Sequence, residues 1–196
     1  MRLGMAALAV VLAGSGCVAK SKYTALENQL QNCRERNKND KGGNPEHKAL
    51  LDQLKPLVDR GVLEVTDEGG RTAIAMRAEV LFPSGSAVLS SNGRSTVSEV
   101  GRVLGRRTDL DWQIEGHTDN EPIHTEEFPN NWHLGAARAM AVLDVMVSSG
   151  MSPSHVSAAS FGQYAPVASN GSESGKQRNR RIEIVLLPEI RAKRLE

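Results

Sequence analysis

Apolar positions along this chain change their period several times, and each change marks an element. Tyr23, Leu26 and Leu30 recur at steps of three and four among polar residues, which predicts a helix over 20–39 with a narrow apolar stripe. It covers scarcely two heptads, so it reads as a solvated spacer with weak pairing at most. Lys41-Gly42-Gly43-Asn44-Pro45 breaks it. A second helical stretch follows, in which Leu50, Leu54, Leu57 and Val58 form one face and Pro56 is expected to kink or shorten the helix. Residues 62–66 and 72–78 flank Asp67-Glu68-Gly69-Gly70 and read as a hairpin. Ser90 or Ser91 can cap a helix running to about Leu104, and Trp112 to Gly116 reads as a strand. Asn130 or Asn131 can cap a long helix that ends at Gly150, beyond which Pro153 prevents continuation. Val156 to Phe161 is a strand, a loop rich in Ser, Gly and Asn follows, and Ile182, Ile184 and Leu186 alternate along a last strand from Arg181 to Leu187. The succession βαβαββ predicts an α/β (α+β) two-layer sandwich, a mixed sheet with helices on one face, preceded by the helical spacer.

One position disturbs the long helix. Leu134, Arg138, Ala141 and Val145 share a stripe, and Arg138 places a permanent charge on it. A guanidinium facing a core is costly unless an ionised or strongly accepting group meets it. Asp119, at the end of the preceding strand, is a candidate partner. From the residues alone the two form either a structural ion pair or a clamp for a ligand bearing both signs.

Composition narrows the function classes. The 196 residues carry 24 basic and 23 acidic side chains, a balance that recruits neither nucleic acid nor an anionic membrane surface, and 4% aromatic content offers no base-stacking surface. The amino terminus reads as a targeting segment: Arg2, an apolar run from Met5 to Leu12, small residues 13–16 and then Cys17. That run is too short for a permanent span. It resembles a bacterial lipoprotein signal, which implies cleavage after residue 16 and diacylation of Cys17; Gly14 stands where such signals usually carry leucine. An ordinary secretory signal is the alternative. Val18 replaces the aspartate that retains many lipoproteins at the inner membrane, so the resemblance implies the outer membrane. Cys33 is then the one remaining cysteine; it continues the Tyr23, Leu26, Leu30 series, so a homodimer through the spacer would bring two Cys33 thiols together, and a free thiol is the plainer reading.

Five blocks, VLFPSGSAVLSSNG, IEGHTDN, NNWHLGAARA, SFGQYAPVASN and QRNRRIEI, occur in an order and spacing that resembles the OmpA-like peptidoglycan-binding domain, found also in peptidoglycan-associated lipoproteins and flagellar stator proteins. The loop Phe128-Pro129-Asn130-Asn131-Trp132 is most similar to the stator-type branch. The resemblance covers about Thr72 to Leu187 and implies domain boundaries of 1–16 for the signal, 17–60 for a lipid-anchored spacer, 61–188 for the binding domain and 189–196 for a basic tail. It implies a non-catalytic protein without cofactor that binds the diaminopimelate residue of the peptidoglycan stem and ties the outer membrane to the wall. Asp119 would take the ligand's ammonium and Arg138 its carboxylate, Thr118 and Asn131 would supply neutral hydrogen bonds, and Arg180 would line the site as a second basic group. Two positions depart from the family pattern: Phe82-Pro83 stands where an aspartate commonly follows the phenylalanine, leaving backbone as the contact there, and Gly135 replaces a serine.

Two other function classes compete. His117 and Asp119 are two apart on an extended segment, with His124 and His133 nearby, so a metal-dependent periplasmic hydrolase is conceivable. Against it stand the lack of an HExxH pair and the cation Arg138 beside any metal; His117 is then expected to brace a loop by hydrogen bonds to backbone. A structural lipoprotein acting mainly through protein partners is the third class. Arg181 is free to pair with a carboxylate near Glu183, and Arg191, Lys193 and Arg194 read as a solvated tail.

Overall fold

The computed structural model describes residues 45–68 and 70–188, together with Thr24, Glu27, Asn28 and Gln31, which are helical and exposed. Cys17, Cys33, the remainder of the predicted spacer and the basic tail lie outside the described residues. No helix among the described residues is long and apolar enough to cross a membrane.

From Pro45 onward the described residues form, in order, α1 (Pro45–Asp59), β1 (Glu64–Glu68), β2 (Arg71–Arg77), α2 (Ala78–Leu81), α3 (Ser91–Leu104), β3 (Trp112–His117), α4 (Asn131–Ser148), a 3-10 turn (Pro153–His155), β4 (Val156–Gly162), α5 (Glu173–Asn179) and β5 (Arg181–Leu186). The five strands make one mixed sheet in the order β1-β2-β5-β3-β4. Only β3 and β4 are parallel, and α4 supplies the crossover that a parallel pair requires. Strand register sorts the side chains by face. Ile74, Ile184 and Ile114 pair in one row across β2, β5 and β3, and all three are fully buried under the helices. The next row, Ala75, Glu183 and Glu115, points to the opposite face, as the period of two demands.

The helices α3 and α4 pack on each other, and α4 lies along β3 and β4. Val97, Val100 and Leu104 of α3 meet Val142 and Met146 of α4 within a single core. The expected boundary at Gly61 is too late. Leu50, Leu54 and Leu57 of α1 are fully buried in that same core, so the residues assigned to the end of the spacer belong to the domain. Nor does Pro56 end α1, which runs through it to Asp59. Burying three leucines contributes roughly 1.5–3 kcal/mol each, which exceeds the cost of about 3 kcal/mol for proline in a helix interior.

Of the paired alternatives for caps, Ser90 accepts from the Gly93 amide at 3.0 Å, and Asn130 accepts from the Trp132 and His133 amides at 3.0 and 3.3 Å. The loop expected between β4 and β5 contains α5, capped by Ser172 through the Gly175 amide. Its sequence ESGKQRN carries no apolar stripe, so no periodicity announces it.

Candidate functional site

The end of β3 and the start of α4 meet at two glycines. A side chain on Gly116 would overlap the Gly135 carbonyl, so the strand and helix touch backbone to backbone. Gly135 is thus more than a weak helix former: it lets α4 approach the sheet. Just beyond β3, the Thr118 amide donates to the Gly162 carbonyl at 2.9 Å, fixing where the chain leaves the sheet and presents Asp119. With Asn130 acting as cap, Asn131 is free to face Asp119, and Arg138 follows two turns later on the buried side of α4.

These residues line a cleft of about 720 Å³ whose walls include Phe82, Pro83, Leu134 and Glu173. Asp119 is 6% exposed and Arg138 5%. They do not pair with each other. Asp119 Oδ2 accepts from Arg180 Nη1 at 2.6 Å, and its Oδ1 accepts from the Glu121 amide at 3.2 Å. Arg180 also donates from Nη2 to Glu173 at 2.8 Å. The expected carboxylate partner of Arg138 is therefore held by another arginine. Arg138 instead donates from Nε to the Ser86 carbonyl at 2.9 Å and lies 5.2 Å over the Phe82 ring. No hydrogen bond engages its two terminal nitrogens among the described residues. Burial pulls the guanidinium down to about 10, opposed by the nearby charge of Asp119 and reinforced by Arg180. At neutral pH it stays charged and desolvated, with no carboxylate hydrogen-bonded to it among the described residues.

All five residues expected in the site come together, though their engagements differ. The Thr118 hydroxyl donates to the Asp119 carbonyl at 2.8 Å. Asn131 Nδ2 reaches the carbonyls of Asp119 and Glu121 at 3.3 and 2.9 Å and Gln163 Oε1 at 2.8 Å. Both thus spend their donors on holding the loop and retain only acceptor capacity toward a ligand. Ser86, Gln163 and Glu173 were passed over by sequence reasoning, and the Phe82 ring meets Arg138 where only backbone was expected. The Phe82-Pro83 departure was the available signal, since losing an acid there leaves backbone and a ring to meet Arg138.

His117 does not brace a loop. It sits on the far face of the sheet, 3% exposed, stacked on Phe161 with centroids 5.2 Å apart, and neither ring nitrogen has a hydrogen-bond partner. Asp119 lines the other cleft, so the pairing on which a His117/Asp119 hydrolase depends does not form. His124 and His133 are exposed, on the Pro129 carbonyl and Asn130 Oδ1. Among the described residues Glu115, His117 and Glu183 group donor atoms within 4.8 Å. Their carboxylates are already committed: Arg71 bridges Glu115 and Glu183 at 2.7 and 2.9 Å, and Arg181 meets Glu183 at 2.6 Å. A divalent ion would have to displace fixed cations. Arg181 thus pairs with Glu183 itself.

A family model described as "OmpA family" matches residues 81–180. The chain is 34% identical over 126 residues to Motility protein B of Bacillus subtilis, an overlap of 64% of this chain and 48% of that protein, so it spans about half of that relative's length. It is 28% identical over 185 residues to the outer-membrane lipoprotein YfiB of Pseudomonas aeruginosa, covering 94% of this chain and 92% of that one. Among solved structures, the cell wall anchor of the T6SS from Pseudomonas aeruginosa is similar with a TM-score of 0.65 and 31% identity, over 71% of this chain and 97% of that chain.

Proposed function

Because the chain belongs to the OmpA family, we propose that its domain binds peptidoglycan without catalysis, holding the diaminopimelate of a peptide stem between Asp119 and Arg138. The free end of diaminopimelate carries an ammonium and a carboxylate on one carbon. Asp119 Oδ1, which among the described residues accepts only the Glu121 amide at 3.2 Å, has capacity for the ammonium. The terminal nitrogens of Arg138 take the carboxylate in a two-pronged contact. Arg180 holds Asp119 in place and adds positive charge at the rim, while the oxygens of Thr118 and Asn131 accept from stem amides.

The observation that carries this reading is the buried guanidinium of Arg138, to which no carboxylate hydrogen-bonds among the described residues. An internal ion pair would have neutralised it, whereas an anion from outside completes it. Similarity to a cell wall anchor supports the wall as the target. Similarity to an outer-membrane lipoprotein over most of both chains supports acylation at Cys17 and a domain that reaches from the outer membrane into the periplasm. A helical spacer over 20–39 would extend about 30 Å of that distance.

Co-sedimentation with isolated sacculi tests the clamp. Asp119→Ala and Arg138→Ala, each checked for native circular dichroism, are expected to remain in the supernatant while the parent protein pellets. Full co-sedimentation of both folded variants would sink the reading.

A further inference from the structure

The cleft leaves the most exposed aromatic surface unexplained. Phe82, Trp112 and Phe128 are buried, yet Trp132 is 44% and Tyr164 66% exposed. The two stack on each other, centroids 5.2 Å apart and planes inclined by 24°. Leaving two large rings in water forgoes the burial that Phe82, Trp112 and Phe128 exploit, and exposed apolar surface of this kind marks contact sites.

The pair is next in sequence to residues that hold the cleft. Asn131 lines the cleft and donates to Gln163 at 2.8 Å, and each ring belongs to the residue that follows one of these partners. The backbone is held on both sides: Asn130 caps the Trp132 amide, the Trp132 carbonyl accepts from Ser160 Oγ at 2.9 Å, and the Tyr164 amide donates to the Phe161 carbonyl at 3.1 Å. Behind the indole lies Gly162, at φ +51, where a Cβ would sit 3.5 Å from Cδ2. With the indole between this backbone and the phenol, Tyr164 offers the outer face to solvent.

We propose that Trp132 and Tyr164 form a carbohydrate subsite that receives the face of an amino sugar of the glycan strand while the cleft holds the stem; this rests on the stem-binding reading of the cleft. One face of a pyranose presents C–H bonds, which pack on the electron-rich face of an aromatic ring, and its hydroxyls stay at the edge in water. Diaminopimelate stands only a few residues from the sugar that bears its stem. At about 3.5 Å per extended residue, a stem seated against Asn131 delivers its sugar to the neighbouring rings. Both rings are held before the ligand arrives, so little side-chain freedom is lost on contact.

Tryptophan emission reads this subsite directly, because Trp112 is 1% exposed and only Trp132 of the two indoles meets solvent. Three probes are titrated: a free stem peptide ending in diaminopimelate, the same peptide bearing its disaccharide, and a short β-1,4 oligomer of N-acetylglucosamine. The parent is expected to bind the disaccharide form roughly five-fold tighter than the free peptide, and the oligomer to shift Trp132 emission to the blue. Tyr164→Ala should remove that preference without changing affinity for the free peptide, and Tyr164→Phe should restore it. Equal affinities in the parent, or a preference that survives Tyr164→Ala, would overturn the subsite. A parent that ignores the free peptide would instead defeat the cleft reading, and the oligomer arm then decides the platform alone. Flat sugar titrations combined with a dimer that Tyr164→Ala dissociates would assign the rings to a second copy of the chain and overturn the proposal.

Discussion

Replacing Arg138 with methionine separates a residue that holds a ligand from one that holds the fold. In the native domain the guanidinium is 5% exposed and pulled down to about 10, first by loss of water and then by Arg180, with Asp119 only partly compensating. Relative to an ordinary guanidinium, this depression amounts to roughly 3 kcal/mol held against the charged form at neutral pH. Methionine relieves that term and keeps an unbranched chain beside the Phe82 ring. It forfeits the hydrogen bond to the Ser86 carbonyl, worth about 2 kcal/mol for a charged donor, and the contact over Phe82, worth about 1 kcal/mol. These contributions nearly cancel. The variant should therefore unfold in urea within about 1 kcal/mol of the parent, with an unchanged denaturant slope, while losing sacculus binding. A structural ion pair behaves otherwise, since removing one partner of a buried pair destabilises by about 3–5 kcal/mol. A loss of that size in Arg138→Met would refute the reasoning. The pH dependence carries the same sign. Above about 10 the native state releases the Arg138 proton more readily than the unfolded chain does, so the parent gains stability relative to Arg138→Met as pH rises through that value.

Arg138→Lys retains the charge but not the planar fork, and its co-sedimentation with sacculi should weaken by roughly ten-fold; undiminished binding would mean that charge alone suffices. Gly116→Ala would press a methyl group into the Gly135 carbonyl and should lower stability by roughly 2 kcal/mol or more, seen as a drop in melting temperature; a parent-like melt would contradict the close approach of strand and helix. Burial favours the neutral form of Glu183, but Arg181 and then Arg71 outweigh it and hold the carboxyl below its ordinary range. A depressed folded value gives stability that is present above the unfolded value near 4.3 and lost as pH falls through the folded one. Glu183→Gln should accordingly be less stable than the parent at pH 7, with the gap closing in urea titrations as pH falls below the unfolded value; a constant gap would assign the effect to packing.

The elements with clear periodicity were legible from the chain alone. Alternation along Ile182, Ile184 and Leu186 locates β5, and Asn130 with the stripe from Leu134 to Val145 locates α4. Where side chains rather than periods do the stabilising, the reading fell short. The short polar α5 depends on the Ser172 cap and on Asn179, which is fully buried and bonds Val167, Ala168 and Asn170. The stripe Leu50, Leu54, Leu57 was visible, but a glycine-rich break before it and a proline within it suggested a separate spacer; only burial shows that it completes the core. For the candidate site, the fold gathers the five expected residues in one cleft, but their pairing could not be read from the chain. Two arginines lie within reach of Asp119, and the one nearer in sequence is not its partner. The place of His117 was encoded, since an inward Ile114 sends Glu115 and His117 to the opposite face by simple parity.

That parity puts two clusters of charge on opposite sides of one sheet, and their contrast bears on function. On the far face, Arg71 spans Glu115 and Glu183 while Arg181 closes on Glu183, so two cations and two carboxylates are matched within the protein. Such a set is self-sufficient, and removing a member exposes an uncompensated partner. On the helical face, the single guanidinium of Arg180 bridges two carboxylates, Asp119 and Glu173, and Arg138 stands beside them buried and bonded to neither. Nothing in the architecture requires a charge there: its neighbours along α4 are Leu134, Ala139 and Val142, and a thioether or an isobutyl group fits such a stripe without desolvation cost. An arginine at that position adds little net stability to the free protein, and on the clamp reading its return comes when an anion arrives. The carboxylate that completes Arg138 is thus expected to come with an ammonium for Asp119, because an anion alone would meet the negative field of Asp119 within the same cleft.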